Sequence, residues 1–514
     1  MRAADLVISA AEAAGIRYCF ANPGTTEMPL VEAFDRVAGV TPVLCTFEGV
    51  ATGAADGYAR MAGVPGLTLL HLGPGYANGI ANLHNARRAR SPIVNLIGEH
   101  ATDHRAFDPP LAMPIEGLAA SLPGHVRTVM AAGDAGGAFA ECYHEATRGL
   151  ISHLVFAHDL QTLDVGGGVP PLTPARPEKV PKDLIEGVAR ALRGAKKPAM
   201  ILGGEALSGE GLRLSGQVAE SCGATLFHET FTARMERGAG IPSPVRLPYF
   251  PESARDALKG HDLVALVGVP SPVGFFGYPG VSGCLIKEGL EIRLCRPEED
   301  VMAALTDLSG ALGVSSSSPG FSGPEYQVPE LPIGPLTIDT LGRAFAALQP
   351  EEAIVVDEGI TSGFFYQPLA ARLAPHTTLT ITGGAIGCGI PLSIGAALAC
   401  PDRPVLTLQA DGSALFTVQG LWTQARENLN IKTIICANRK YDILNLEVAR
   451  SGNTEPGPMT RSLTDLSRPD IGWVDIARGF GIPSLSAATS EDFSNALQVA
   501  LGEPGPFLVE AVLG

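Results

Sequence analysis

None of the nine cysteines forms a C-x-x-C pair: Cys19, Cys45, Cys142, Cys222, Cys284, Cys295, Cys388, Cys400 and Cys436 are scattered singly. That spacing offers neither a zinc site nor a dithiol redox centre, and the thiols read as reduced core residues. Basic residues are in deficit, with 37 Lys and Arg against 53 Asp and Glu and a formal charge of −16. A general nucleic-acid or anionic-membrane surface is thereby excluded, since such surfaces need clustered cations, and only a local anion site is left. No apolar run is long enough to span a bilayer. Met1 to Gly15 carries Asp5 and Glu12 in an amphipathic pattern, without the uncharged apolar centre of a signal peptide. The expectation is a cytoplasmic protein with no nucleic-acid or membrane partner. No short-period repeat is evident, so a solenoid is not indicated. Hydrophobic residues make up 46% and charged ones 18%, a composition that folds rather than staying disordered.

A chain of 514 residues exceeds what one hydrophobic core serves, and three domains is the starting estimate. Pro/Gly/Ser-rich passages at Asp164 to Lys182 and Ser315 to Pro335 mark two linkers. They delimit domains at 1–165, 183–314 and 336–514. Within each, apolar runs that suit buried strands precede helical periodicity. These runs are Pro42–Thr46, Leu67–Leu72 and Pro92–Ile97, then Ala199–Leu202, Leu263–Val267 and Leu290–Leu294, then Ala353–Asp357, Val405–Gln409, Lys432–Ala437 and Phe507–Val512. The predicted fold is α/β, with three doubly wound parallel-sheet domains.

The strand ending at Gln409 runs into Ala410-Asp411-Gly412-Ser413, with a helix predicted over Leu415 to Glu427, and the next strand ends in Ala437-Asn438-Arg439-Lys440-Tyr441. Asp411 and Asn438 therefore stand at the carboxyl ends of neighbouring strands, the edge where open α/β sheets bind ligands. A carboxylate, an amide oxygen and a loop carbonyl, completed by phosphate oxygens and water, suit Mg²⁺, and Gly412 admits a phosphate closely. In isolation an Asp-Gly-Ser triplet is an ordinary Asx turn. The segment Ala410 to Asn438, however, resembles the thiamine-diphosphate (ThDP) signature, G-D-G followed by N-N, with Ala410 and Ala437 at the two departures. The resemblance implies Asp411, Asn438 and the Lys440 carbonyl as metal ligands, with Gly412, Ser413 and Tyr441 beside the cofactor.

Two further segments resemble the same family. Glu48 opens a helix followed by Ala51 and by Ala55-Asp56-Gly57-Tyr58-Ala59-Arg60. Alone it is a helix-start carboxylate; the resemblance implies that it hydrogen-bonds the pyrimidine N1′ and assists loss of the thiazolium C2 proton. Gly383 to Pro391 is similar to the segment that grips the aminopyrimidine, with Gly384 offering a carbonyl to the 4′-amine and Ile386 as the apolar wedge. Thr361, after the strand Ala353–Asp357, is an additional diphosphate candidate. The resemblance spans nearly the whole chain in the order pyrimidine-binding, central, diphosphate-binding domain, as in acetolactate synthase, pyruvate oxidase and benzoylformate decarboxylase. It implies a homodimer as the minimal active unit and a homotetramer as the expected assembly. FAD is a cofactor of some relatives, but Gly203-Gly204 is too short a fingerprint to predict it.

Thr25, His71 and Asn78 follow two strands of the first domain and are similar to the substrate-facing positions of benzoylformate decarboxylase. His71 is the candidate acid–base group, Thr25 the candidate for orienting a substrate carboxylate, and Asn78 a cofactor contact. Phe275 stands where that enzyme has a second catalytic histidine, and Phe47 where relatives often have histidine beside the acid. With Phe276 and Tyr278, Phe275 either lines a pocket for an aromatic or branched substrate or simply packs. The chain ends at Gly514, directly after the strand Phe507–Val512, leaving little tail for a lid. The expected activity is ThDP- and Mg²⁺-dependent decarboxylation of a small 2-oxo acid, with or without carboligation. The alternatives are an acetolactate-synthase-like carboligase, a 2-hydroxyacyl-CoA lyase and a catalytically silent cofactor-binding paralogue.

Overall fold

Strands with no exposed residue recur through this chain, and they set its architecture. The computed structural model describes residues 1–314 and 323–514, so the first part of the Ser315–Pro335 linker lies outside the described residues. In the N-terminal sheet the strands are β1 (Tyr18–Asn22), β2 (Thr41–Leu44), β3 (Gly66–Leu70), β4 (Ile93–Glu99), β5 (Gly124–Thr128) and β6 (Ile151–Ala157). They lie in the order β2-β1-β3-β4-β6-β5 with every pair parallel. All residues of β3, β4 and β6 are buried, as expected of a parallel sheet covered on both faces. The helix Ala3–Ala13 contributes Val7 and Ile8, and the helix Ala135–Ala146 contributes Phe139 and Cys142, to a core shared with Leu67, Leu96 and Leu154.

The central part holds β7 (Pro198–Leu202), β8 (Thr225–His228), β9 (Met235–Arg237), β10 (Val245–Arg246), β11 (Leu263–Val267) and β12 (Glu291–Cys295). Five of these form a parallel sheet ordered β10-β8-β7-β11-β12. The C-terminal part holds β13 (Ile354–Glu358), β14 (His376–Thr380), β15 (Val405–Ala410), β16 (Ile431–Ala437), β17 (Ser484–Ala487) and β18 (Phe507–Val512). There the run β17-β18-β16-β15-β13 is parallel throughout. Order for order it matches β5-β6-β4-β3-β1 of the first sheet. The predicted apolar runs all coincide with strands, whose ends shift by at most two residues.

Contacts divide the chain into two compact units. One comprises Met1–Ala175, Pro329–Tyr366 and Ile381–Gly514 and so unites the first and last sheets; the other comprises Arg176–Val328 and Gln367–Thr380. Within the second unit β14 pairs antiparallel with β9, and Val188, Leu192, Met200, Val267 and Leu305 form its largest core cluster. Among the described residues, no helix is long and apolar enough to cross a membrane.

Inside the first unit the helix Glu48–Ala62 is buried from Glu48 to Met61 and stops at Gly63, whose φ of +70° closes the helix in the left-handed conformation. Its small residues let the helix Gly389–Ala399 come within backbone contact. A Cβ on Gly57 would lie 2.1 Å from the Leu392 carbonyl oxygen, and one on Gly395 would lie 1.9 Å from the Ala54 carbonyl oxygen. The pair Asp56–Arg60, 2.6 Å apart and buried, holds the far end of this contact, and Arg60 also donates to the Thr382 hydroxyl at 3.2 Å.

Candidate active site

The N-terminal sheet reverses its winding between β1 and β3, and the segments leaving those strands meet at their carboxyl ends, the place where such sheets form a ligand crevice. Glu48 opens its helix there, buried at 6% exposure. Its two oxygens accept hydrogen bonds from the side-chain amides of Asn22 and Asn78, each at 3.0 Å. In both bonds a carboxylate oxygen is the acceptor, and the pair fixes the plane of the group. Phe47 precedes it with its ring over Gly49, where a Cβ would be 2.4 Å away. At this position the aromatic side chain packs on the first turn of the helix.

His71 caps the helix Leu72–Ala89. Its Nδ1 is 2.6 Å from an oxygen of Glu27, which is fully buried, and 3.4 Å from the Thr26 hydroxyl. Glu27 also accepts from the Gly24 N–H at 2.8 Å and the Thr26 hydroxyl at 2.6 Å. The bond to Glu27 raises the His71 pKa above the ordinary histidine value, against the opposing effect of burial, with the Glu48 charge adding to the rise. Gly24 is obligatory at the ring, since a Cβ there would come within 2.3 Å of Nδ1. Gly75 stands between Glu48 and His71: its Cβ would be 2.9 Å from a Glu48 oxygen and 3.4 Å from the His71 Cβ. Thr25 is exposed on the 3₁₀ turn Thr25–Glu27, and the hydroxyl in contact with His71 belongs to its neighbour Thr26.

In the C-terminal sheet Asp411, 2% exposed, directly follows β15. Its carboxylate accepts the N–H of Gly412 at 2.8 Å and of Arg439 at 2.6 Å. Burial pushes its pKa up, and those two bonds pull it partly back. Asn438 turns its amide oxygen to the N–H of Lys440 at 3.1 Å. The Tyr441 ring and Leu466 lie over Gly412, where a Cβ would meet them at 2.4 Å and 3.0 Å. Ser413 is buried, and its carbonyl lies 3.5 Å from the Cβ position of Gly387 in the glycine-rich loop. Thr361, also buried, sits in the turn after β13. Three non-glycine residues at positive φ stand beside site residues: Leu72 (52°) after His71, Ile360 (52°) before Thr361, and Arg439 (59°) after Asn438. Such backbone costs about 1–3 kcal/mol each and collects where side chains are aimed for function.

The predicted helix Leu415 to Glu427 is not continuous. A short turn spans Asp411–Ala414, bonds from Phe416 to Ser413, Thr417 to Ala414 and Gly420 to Thr417 follow, and a helix resumes at Gly420–Arg426. Tertiary contacts override helix propensity here: the Thr417 hydroxyl donates to the Gly387 carbonyl at 2.9 Å, and a Cβ on Gly420 would meet Ile390 at 2.7 Å.

The glycine-rich loop is tied to both halves of this unit. Asn82 donates to the Gly49 carbonyl at 2.8 Å and to the Gly387 carbonyl at 3.3 Å, linking the Glu48 helix to the loop. Glu27, Asn22, Asn82, Asn85 and Glu358 were not singled out from sequence. Phe275, by contrast, belongs to a ring cluster of the second unit, with centroids 5.7 Å from Phe231, 5.4 Å from Tyr249 and 5.0 Å from Phe276.

The donor set fits magnesium bound with a diphosphate. Among the described residues no group of three or more His, Cys, Asp or Glu could hold a metal, whereas one buried carboxylate, one amide oxygen and a main-chain carbonyl are hard oxygens that a phosphate-bound Mg²⁺ accepts.

Two like parallel sheets in one unit, one carrying an oriented acid at its switch point and the other an Asp-Gly turn beside a glycine-rich loop, mark a cofactor-dependent enzyme built on two like domains and a third, central one. Comparison with known proteins gives the family. Residues 1–119 match the thiamine pyrophosphate enzyme, N-terminal TPP binding domain, and residues 361–511 match the C-terminal TPP binding domain. A Mycobacterium tuberculosis protein named "Putative acetolactate synthase large subunit IlvX" is 45% identical over 519 residues, covering 100% of this chain and 99% of that one. Benzoylformate decarboxylase of Pseudomonas aeruginosa is 27% identical over 530 residues, covering 96% of each. The solved 4-hydroxybenzoylformate decarboxylase of Rhodococcus jostii RHA1, itself ThDP-dependent, superposes with a TM-score of 0.84 at 22% identity, covering 100% of this chain and 99% of that one. The chain belongs to the thiamine pyrophosphate enzyme family, among the ThDP-dependent enzymes that include acetolactate synthase and benzoylformate decarboxylase.

Proposed function

We propose that this enzyme decarboxylates a small 2-oxo acid, with ThDP and Mg²⁺ as cofactors. The observation that carries the reading is the Glu27–His71 pair beside Glu48: an acid–base group with its proton held from one side, next to the carboxylate placed for the cofactor. ThDP supplies the carbon nucleophile for the 2-oxo group and the electron sink for loss of carbon dioxide.

Glu48, oriented by Asn22 and Asn78, exchanges a proton with the pyrimidine N1′. His71, with Nδ1 engaged by Glu27, exchanges a proton with the reacting substrate through Nε2. Thr25 orients the substrate carboxylate through its hydroxyl, and Thr26 keeps Glu27 and His71 in register. Asp411, Asn438 and the Lys440 carbonyl would hold Mg²⁺, and Gly412, Ser413, Thr361 and Tyr441 would hold the diphosphate. The Gly384 carbonyl and Ile386 side chain receive the aminopyrimidine. The reading includes domains at 1–165, 183–314 and 336–514, a homodimer as minimal active unit within a homotetramer, and a cytoplasmic setting.

A second reading, an acetolactate-synthase-like carboligase, is favoured by the printed name of the 45% identical relative. Carbon dioxide release from pyruvate, branched 2-oxo acids and benzoylformate, followed by product analysis, separates the two. Aldehyde as product supports the decarboxylase and acyloin the carboligase. No release from a protein that binds ThDP removes both, with Glu48→Ala as the control for enzyme-borne turnover.

A further inference from the structure

Glu358 ends β13 and is 1% exposed, yet no step above uses it. One of its oxygens accepts the N–H of Gly387 at 2.6 Å. The other accepts the N–H of Gly389 at 2.6 Å and the side-chain amide of Gln409 at 3.0 Å. Gly389 is bare because a Cβ there would stand 3.0 Å from Glu358 and 2.3 Å from Gln409. From the opposite side, Asn85 donates to the Ala385 carbonyl at 2.7 Å and accepts the Ala385 N–H at 3.1 Å. Thr417 holds the Gly387 carbonyl at 2.9 Å, and the His84 Nε2 is 3.2 Å from the Gly383 carbonyl. Among the hydrogen bonds of the described residues, none engages Gly384 or Ile386. The ties thus fix the loop everywhere except at the carbonyl and the side chain that the proposed function offers to the aminopyrimidine.

We infer that Glu358 is a positioning residue for the cofactor's pyrimidine end, acting through the backbone of Gly387 to Gly389. The inference rests on the ThDP-binding reading above. A carboxylate is required because both of its oxygens must accept hydrogen bonds; an amide would turn a donor toward one of the two N–H groups. Two glycines at positive φ, Gly384 (+77°) and Gly387 (+93°), give the loop backbone freedom that only such ties remove. Burial raises the carboxyl's pKa, and the hydrogen bonds from Gly389, Gln409, Gly387 and Cys388 oppose that rise.

The test compares the full chain with Glu358→Gln by calorimetry at saturating Mg²⁺, using two probes: ThDP, and inorganic pyrophosphate, which reaches only the Asp411 corner. The expected result is ThDP binding weakened by about tenfold to a hundredfold, as for loss of a charged hydrogen bond, with pyrophosphate binding unchanged. Equal weakening of both probes, or of neither, overturns the inference. Should the Gln variant fail to fold, Glu358→Asp keeps the charge but shortens the reach, and the same selective loss, smaller in size, is expected; parent-like ThDP binding by it overturns the inference. A parent chain that binds no ThDP defeats the functional reading itself, whereas a binding parent with an indifferent variant defeats only this inference.

Discussion

His71 is partly buried, and its Nδ1 is engaged from the buried side by Glu27. Its folded pKa is raised, so the pair contributes stability that is fully present below the unfolded histidine value of about 6.5 and is lost as pH rises through the folded value. Glu27→Gln keeps the shape but removes the charge. The expected outcome is a His71 titration, read by NMR, displaced to lower pH, with the basic limb of the activity profile moving in the same direction. His71→Ala is expected to lower turnover by about 10²–10⁴-fold with ThDP affinity retained. Full turnover in that variant would remove His71 from the reaction. The histidine was legible in the sequence as a lone His after an apolar strand. Its partner was not, because the two lie 44 residues apart and meet only through the pairing of β1 with β3. A spacing of that kind carries no periodic signal.

At the scale of elements, strands were legible because parallel strands buried on both faces read as continuous apolar runs. The helix predicted after Asp411 was not, since Thr417 and Gly420 serve the neighbouring loop rather than a continuous helix. β14, with three threonines in His376–Thr380, also gave no apolar run to read, and it clusters with the second unit. The contact between the helices Glu48–Ala62 and Gly389–Ala399 rests on glycine in a way that sequence suggests and only structure measures. Gly395→Ala forces a methyl into the Ala54 carbonyl and the Tyr58 N–H. Overpacking of this kind costs about 1–3 kcal/mol, and denaturant unfolding should show at least that loss. Gly137→Ala is the control: it is exposed in the helix Ala135–Ala146, with nothing within 4 Å of the added Cβ. It should gain about 0.5–1 kcal/mol from helix propensity.

For the whole molecule, the repeated strand order places Glu358 and Thr361 at the end of β13 and Asp411 at the end of β15, as Asn22 stands at β1 and His71 after β3. Asp411 was visible in sequence, but Glu358 and the equivalence of the two crevices were not, because that equivalence belongs to strand order rather than to any local pattern. It leads to a prediction about linkage. Asp411 is buried, and its two carboxylate oxygens each accept a backbone N–H. Asp411→Asn therefore keeps volume and one acceptor but turns its amide donor toward the other N–H, and the unliganded variant is expected to lose about 1.5–3 kcal/mol, the worth of one hydrogen bond to a charged group. ThDP with Mg²⁺ at a hundred times its dissociation constant should stabilise the parent by about 2.7 kcal/mol. That increment should vanish in Asp411→Asn, and in the parent when EDTA removes the Mg²⁺. Thermal unfolding with and without the cofactor pair reads all of these states. An increment that survives in the variant would place the metal elsewhere, whereas a variant that is already unstable without ligand would make Asp411 a scaffold residue first.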